Sequence, residues 1–243
     1  MKQNPKLINL LDAKTPIAES YRSLQTNIEF AGTDKKMKLI CITSPGASEG
    51  KSTTCANLAL TYAQTKHRVL LIDADLRCPA QHRLFNLSNS KGLSNVVAFK
   101  EELSETIYEV SEEFHVLTTG PLPPNPIEMI RSKSMKQFLE LVRNSYDVII
   151  IDTPPVGILT DASLIAAESD GTLLVVASGK SLIDLTKKAH ENLNFVGAHL
   201  IGTLMTMLPV DNQSYKYYVQ TYEEDIKPAK SRKEWFKRKG CRA

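Results

Sequence analysis

The stretch Ser44-Pro45-Gly46-Ala47-Ser48-Glu49-Gly50-Lys51-Ser52-Thr53 decides the fold, since an apolar run precedes it and a helical pattern follows it. In a strand–loop–helix unit, the backbone N–H groups of a small-residue loop and the helix N-terminus converge on one point, which favours an anionic phosphate. We therefore predict that residues 46–53 bind the phosphates of ATP. Lys51 is expected to bridge the β- and γ-phosphates, and the Ser52 hydroxyl to ligate Mg²⁺. The usual pattern G-x-x-x-x-G-K-[ST] has a glycine where this chain has Pro45.

Short apolar runs alternate with helical patterns along the rest of the chain. The runs that predict buried strands are Met37–Thr43, Arg68–Asp73, Phe114–Leu117, Asp147–Asp152, Thr172–Ala177 and Leu200–Thr206. Apolar residues at helical spacing occupy Ser52–Thr65, Ser132–Asn144, Thr160–Ser169 and Ile183–Phe195. This alternation predicts one α/β domain of the P-loop NTPase type, with a mostly parallel sheet and helices on both faces. We expect it to span residues 1–210, with an N-terminal helical arm at about 15–31 and a flexible tail at 211–243.

Three aspartates follow two of these apolar runs, where a parallel sheet collects its ligands. Asp73 and Asp75 close the second run, and their spacing predicts that both side chains leave on the same face. Asp152 ends another apolar run, as the metal-positioning carboxylate of a P-loop NTPase does. Because ligands bind beyond the carboxyl ends of parallel strands, we expect the three carboxylates to meet Lys51 there. Asp75, Asp152 and Ser52 are the predicted Mg²⁺ site, and Asp73 or Asp75 the predicted proton acceptor.

Composition limits the class of protein. Apolar residues make up 42% and charged residues 23% of the 243, which is typical of a globular domain. No apolar run is long enough for a membrane-spanning helix, and the four scattered cysteines indicate reduced cytosolic thiols. From Lys227 onward, eight basic residues face one acidic residue, so the tail could meet an anionic membrane surface or remain solvated. No fold or aromatic platform supports nucleic-acid binding.

Taken together, four motifs resemble the bacterial tyrosine kinases of capsule and exopolysaccharide systems. They are T-S-P-G-A-S-E-G-K-S-T, L-L-I-D-A-D-L-R-C-P, G-P-L-P-P-N-P and V-I-I-I-D-T-P-P, beginning at residues 43, 70, 120 and 148. The resemblance implies an ATP- and Mg²⁺-dependent tyrosine autokinase in which Lys51, Asp73, Asp75 and Asp152 carry the catalysis. It also implies a cytoplasmic protein held at the inner face of the membrane by its partner.

The same resemblance implies several partners. These are a membrane-bound activator that regulates polysaccharide chain length, further copies of the chain in a ring, a cognate phosphotyrosine phosphatase, and other protein substrates of polysaccharide synthesis. Glu19 and Arg22 match the first positions of the family's ring-forming helix, whose last arginine is replaced here by Gln25. After the last strand, Thr206 stands where relatives usually carry an asparagine that contacts the purine.

A tyrosine cluster near the C-terminus matches the family's phosphoacceptor segment. The tyrosines that the resemblance implies are phosphorylated by a neighbouring subunit are Tyr215, Tyr217, Tyr218 and Tyr222. The alternative is a nucleotide-dependent switch of the partitioning-ATPase type, which binds a membrane partner without kinase activity. Those proteins carry a signature lysine five positions before the loop lysine, where this chain has Gly46.

Overall fold

The computed structural model describes Leu7, residues 15–32 and residues 37–209. The chain divides into two units, Met1–Leu208 and Pro209–Ala243, and the fold concerns the described part of the first. The predicted tail at 211–243 lies outside the described residues, so its predicted flexibility stays a prediction.

A seven-stranded sheet forms the centre of the described region, with strand order β3-β4-β2-β5-β1-β6-β7. The strands are β1 (Leu39–Thr43), β2 (Val69–Asp73), β3 (Tyr108–Ser111), β4 (Phe114–Leu117), β5 (Val148–Asp152), β6 (Gly171–Ala177) and β7 (Leu200–Thr206). Every pairing is parallel except that of β3 with β4. The mostly parallel α/β fold predicted from the sequence is therefore confirmed.

Eight α-helices of the described region cover the two faces of the sheet. They are α1 (Pro16–Ala31), α2 (Lys51–Gln64), α3 (Gln81–Leu84), α4 (Leu93–Ala98), α5 (Pro126–Arg131), α6 (Lys133–Ser145), α7 (Asp161–Ala167) and α8 (Ile183–Phe195). Residues of α1–α3 share one buried apolar cluster with alternate strand residues such as Ile40 and Ile150, while α4–α8 share another with Leu39 and Ile149. Because successive strand residues point to opposite faces, a continuous apolar strand supplies both layers.

The predicted strands occur at the predicted places, but two details differ. The outer strand β7 is not buried on both faces, because it pairs only with β6 and leaves Met205 54% exposed. The antiparallel β3 was not predicted, since Tyr108–Ser111 alternates polar and apolar residues at an exposed edge rather than forming an apolar run. The helical arm predicted at about 15–31 is α1, which Thr15 caps through its side-chain oxygen.

We expect two leucines of α6 to differ sharply in their contribution to stability. Leu139 is 5% exposed, whereas Leu141 is 52% exposed. Leu139→Ala should lower the free energy of unfolding by about 2–5 kcal/mol because it opens a cavity in the core. Leu141→Ala should cost less than about 1 kcal/mol. Urea denaturation followed by circular dichroism measures both, and equal losses would contradict the assigned orientation of α6.

Candidate active site

The topology brings the three sequence motifs to one edge of the sheet. Strand β5 lies between β2 and β1, and Asp152 pairs in register with Asp73 on one side and with Ile42 on the other. The loop of residues 44–50 follows β1 directly and leads into α2. Gly50 caps α2 at φ +94°, a left-handed conformation that favours glycine. The predicted convergence of the motif ends is therefore the geometry that the structure shows.

Lys51 lies at the centre of this edge and is almost fully buried. Its Nζ donates to Asp75 Oδ2 at 3.1 Å and to Ser52 Oγ at 3.3 Å, and it lies 3.5 Å from Asp152 Oδ1. Burial opposes the charge, but the Asp152 and Asp75 carboxylates outweigh it and raise the pKa of Lys51 above its usual value. The lysine therefore stays protonated and neutralises part of the carboxylate charge.

Asp73 and Asp75 have different surroundings although the sequence makes them look alike. Asp73 is fully buried, and its oxygens accept the backbone N–H groups of Asp75, Ala80 and Gln81. Asp75 contacts Lys51 with one oxygen and accepts the Cys78 N–H with the other. Burial and then the Asp152 carboxylate raise the pKa of Asp73 to about 8, against the two backbone N–H groups of the 80–81 segment that lower it. Asp73 thus shapes the loop after β2, whereas Asp75 touches the lysine of the phosphate loop.

The side chain of Glu49 points inward and forms hydrogen bonds that stabilise the loop of residues 44–50, which is called the phosphate loop below. Its Oε2 accepts the Gly46 N–H at 2.9 Å, and its Oε1 accepts the Ser181 hydroxyl at 2.7 Å. A Cβ atom on residue 46 would lie 3.1 Å from Glu49 Oε1 and 3.4 Å from Leu185 Cδ2. The position at which partitioning ATPases carry their lysine is therefore closely packed here.

Thr206 also contacts the loop rather than presenting its hydroxyl to an open pocket. It ends β7 and donates to the Glu49 carbonyl oxygen at 2.7 Å. A Cβ atom on Gly50 would lie 3.5 Å from the same hydroxyl. The threonine at the position expected to face the purine therefore contacts the backbone of the loop.

A residue that motif reasoning missed, Gln81, joins two of the motifs. Its Nε2 donates to Asp152 Oδ2 at 2.8 Å and to the Ser52 carbonyl oxygen at 3.0 Å. Gln81 belongs to none of the four sequence motifs, and a glutamine after a turn does not by itself indicate a functional site. The residue two positions beyond it, Arg83, was missed for the same reason.

A cleft of about 460 Å³ opens beside the loop. Its lining consists of Ser48, Glu49, Gly50, Lys51, Ser52, Thr53, Ala80, Arg83 and Leu84. Gly46 is buried and Ala47 exposed, and neither lines the cleft. The amides of a helix N-terminus, Lys51 and Arg83 suit a polyphosphate.

Ser52 at the cleft, together with Asp75 and Asp152, which contact Lys51 but do not line the cleft, also fits Mg²⁺ held with a nucleotide. The oxygens of Ser52, Asp75 and Asp152 are hard donors of the kind this ion prefers. The Asp152 Oδ1 atom is buried and accepts no hydrogen bond within the described residues. No cluster of three or more histidine, cysteine or acidic residues suited to a metal occurs within the described residues. This donor set fits an ion that takes its remaining ligands from phosphate and water.

The two residues of the predicted ring-forming surface lie together on α1. Arg22 Nη1 donates to Glu19 Oε2 at 2.7 Å, and both side chains are partly exposed. Gln25 instead points inward, where its amide donates to Glu29 and to Thr65 at the end of α2. The replacement of the family's arginine thus gives a side chain that packs within its own subunit.

Tyr215, Tyr217, Tyr218 and Tyr222 lie outside the described residues. Within residues 15–32 and 37–209, no helix is both long and apolar enough to cross a membrane.

The chain is similar to known proteins in sequence and in fold. A family model described as an AAA domain matches residues 37–194. The chain is 42% identical over 215 residues to tyrosine-protein kinase YwqD of Bacillus subtilis, a match that covers 87% of this chain and 90% of that protein. Its fold is similar to that of the chimerical protein CapA2B2, with a TM-score of 0.79, 37% identity, and coverage of 85% and 92% of the two chains. The kinase domain of Escherichia coli tyrosine kinase ETK gives a TM-score of 0.76 at 33% identity, with coverage of 84% and 82%.

We expect the buried carboxylate of Glu49 to stabilise the loop. Glu49→Ala should lower the free energy of unfolding by about 1–3 kcal/mol, because the Gly46 N–H and the Ser181 hydroxyl would lose their acceptor. Glu191→Ala on the exposed side of α8 is the control and should change it by less than about 0.5 kcal/mol. Chemical denaturation compares them, and identical midpoints would show that the Glu49 contacts contribute no net stability.

Proposed function

The chain belongs to the bacterial tyrosine-protein kinases, and on that premise we propose that it is an ATP-dependent autokinase that regulates capsular or exopolysaccharide synthesis and export. The observation that carries the proposal is the contact of Lys51 with Asp75, Asp152 and Ser52 at one sheet edge. These four groups supply what phosphoryl transfer requires, namely a cation for the phosphates, metal ligands and a carboxylate for the acceptor.

The phosphate loop would hold the nucleotide before transfer. The amides of residues 46–53 and the α2 N-terminus bind the phosphates, and Lys51 turns from the carboxylates to the β- and γ-phosphates. Ser52, Asp75 and Asp152 are the residues that would hold Mg²⁺. When bound, this ion neutralises charge on the β- and γ-phosphate oxygens.

Asp75 is the carboxylate that we assign to the incoming phenol. One oxygen of Asp75 accepts the Cys78 N–H and the other is paired with Lys51, which would leave it for the phosphates, whereas both oxygens of Asp73 accept backbone N–H groups. The phenol oxygen attacks the γ-phosphorus as the bond to the β–γ bridging oxygen breaks. ADP leaves, and the phenol proton passes to Asp75. Because the phenol pKa is about 10 and the transition state is loose, Asp75 contributes mainly by orienting the acceptor.

The acceptors in this proposal are Tyr215, Tyr217, Tyr218 and Tyr222 of a neighbouring subunit. Four of the eight tyrosines of the chain fall within eight residues, which supports a segment that is modified several times. Each phosphate adds about −1.5 to −2 charges, so a modified segment would be repelled by the acidic residues of the site.

The partners follow from the same proposal. Glu19 and Arg22 on α1 would contact the next subunit of a ring-like homo-oligomer. A membrane-bound regulator of chain length would activate the kinase and keep it at the inner face of the membrane. A cognate phosphatase would reverse the modification, and other proteins of polysaccharide synthesis would serve as substrates.

We expect the full chain, with Mg·ATP and the cytoplasmic segment of its membrane activator, to gain phosphotyrosine in the 215–222 cluster. Lys51→Met should abolish this labelling, since the phosphates lose their cation. Replacing all four clustered tyrosines by phenylalanine should remove the acceptors while ATP hydrolysis continues.

Asp75→Asn should lower kcat by about 10²-fold or more. Phosphotyrosine mapping by mass spectrometry, together with a phosphate-release assay, measures these outcomes.

The control for folding is a thermal melt of each variant, because Lys51→Met leaves two buried carboxylates without their cation. Labelling is also measured on a mixture of Lys51→Met chains with the tyrosine-free variant. Transfer between subunits predicts that the mixture regains phosphotyrosine on the Lys51→Met chain. Wild-type protein that hydrolyses ATP under activation without gaining phosphotyrosine would overturn the kinase proposal.

We expect Arg22→Ala to weaken the homo-oligomer, because a guanidinium that can form paired hydrogen bonds is lost from the exposed face of α1. Ser23→Ala, an exposed neighbour on the same helix, is the matched control. Sedimentation velocity in the presence of the activating segment measures the change. An unchanged distribution of oligomers in Arg22→Ala would rule out this face as the ring contact.

A further inference from the structure

We infer that Gln81 is a positioning residue of the metal site, whose amide nitrogen orients Asp152 and whose amide oxygen accepts a hydrogen bond from a water of the Mg²⁺ hydration shell. The inference rests on the proposed function of the same site. Gln81 lies outside the four sequence motifs.

The first argument is the place of Gln81 between the motifs. The side chain is fully buried, and its Nε2 donates to Asp152 Oδ2 and to the Ser52 carbonyl oxygen. The backbone N–H of the same residue donates to Asp73 Oδ2 at 2.8 Å. One residue thus contacts the phosphate-loop helix, the end of β2 and the end of β5. A shift of any of these three elements would change the direction of the Asp152 carboxylate.

The second argument is the orientation of the amide. Both partners of Nε2 are oxygens that only accept, a backbone carbonyl and a carboxylate, so the nitrogen must lie on their side. The Oε1 atom is then directed away from them. It is buried and has no hydrogen-bond partner within the described residues.

The third argument is energetic. A buried acceptor without a hydrogen bond is destabilising, and Gln81 Oε1 is such an acceptor within the described residues. The Asp152 Oδ1 atom has no hydrogen bond either, and it lies 3.5 Å from the Lys51 ammonium. Once Lys51 moves to the phosphates, a hydrated divalent ion would satisfy both oxygens, Asp152 Oδ1 as a ligand and Gln81 Oε1 through water.

The nitrogen and the oxygen of the Gln81 amide would have different roles at the metal site. With Oδ2 held by Nε2, the Asp152 carboxylate can present only Oδ1 toward the cation position that Lys51 now occupies. The oxygen of the amide would fix one water on the ion. Gln81 has no predicted contact with the nucleotide itself, so its loss should weaken the ion more than the phosphates.

The experiment measures binding rather than catalysis. A fluorescent ADP analogue is titrated onto the full chain in EDTA and then at increasing MgCl₂, with Gln81→Met, Gln81→Asn and wild type. Gln81→Met keeps the length of the side chain and removes both polar atoms. It should raise the half-saturating Mg²⁺ concentration by about 10-fold or more, as loss of an outer-shell ligand commonly does. Affinity for the analogue in EDTA should change by less than about 2-fold.

The matched control is Gln64→Met at the exposed end of α2, which should leave both values unchanged. Gln81→Asn should also raise the Mg²⁺ requirement because the shorter amide cannot span both acceptors, and it serves if Gln81→Met fails to fold. A half-saturating Mg²⁺ concentration within 2-fold of wild type in either folded variant would overturn the inference. So would an equal loss of affinity with and without Mg²⁺, which would indicate that Gln81 only shapes the loop. Neither result depends on phosphotyrosine formation, so a failed kinase proposal is recognised separately.

Discussion

The candidate site depends on one buried ammonium group. Lys51 is the cation between the carboxylates of Asp75 and Asp152, at 3.1 Å and 3.5 Å. Removing charged groups from water costs several kcal/mol for each ion, and breaking such a pair strands the remaining charge. The carboxylates can therefore release Lys51 to a nucleotide only if another cation replaces it. This exchange of charge gives a physical reason why phosphate binding and Mg²⁺ binding should be coupled in the proposed kinase.

The strand order makes this arrangement possible. Strands β2, β5 and β1 are neighbours, and the register pairs Asp73 with Asp152. Two carboxylates on adjacent parallel strands lie about one strand spacing apart, roughly 5 Å, and they repel each other in a buried site. The two carboxylates have different hydrogen-bond and ion-pair partners. Backbone N–H groups bind Asp73, whereas Lys51 and Gln81 bind Asp152.

Much of the fold could be predicted from the sequence, because continuous β-branched runs such as that of β5 are typical only of strands covered on both faces. The edge strand β3 could not, since exposed edge residues carry no periodic apolar signal. In the site, the motif residues could be located because their chemistry requires fixed spacing. Gln81 could not, because its position depends on the path of the loop after β2. The different surroundings of Asp73 and Asp75 also arise from that loop, and two-residue spacing alone says nothing about them.

The packing around Gly46 affects which groups of this loop can stabilise phosphate charge. A Cβ atom at that position would lie 3.1 Å from Glu49 Oε1, so a lysine there would require a shift of the carboxylate that binds the Gly46 N–H and the Ser181 hydroxyl. The loop is instead held within one chain by Glu49, and Thr206 at the end of β7 contacts its backbone. In the proposed kinase, stabilisation of the phosphate charge would then depend on Lys51, on the loop amides and on the ion that the carboxylates would hold. Glu49 binds Ser181, which follows β6, and Thr206 ends β7, so a displacement of either residue would be transmitted to the loop by direct hydrogen bonds.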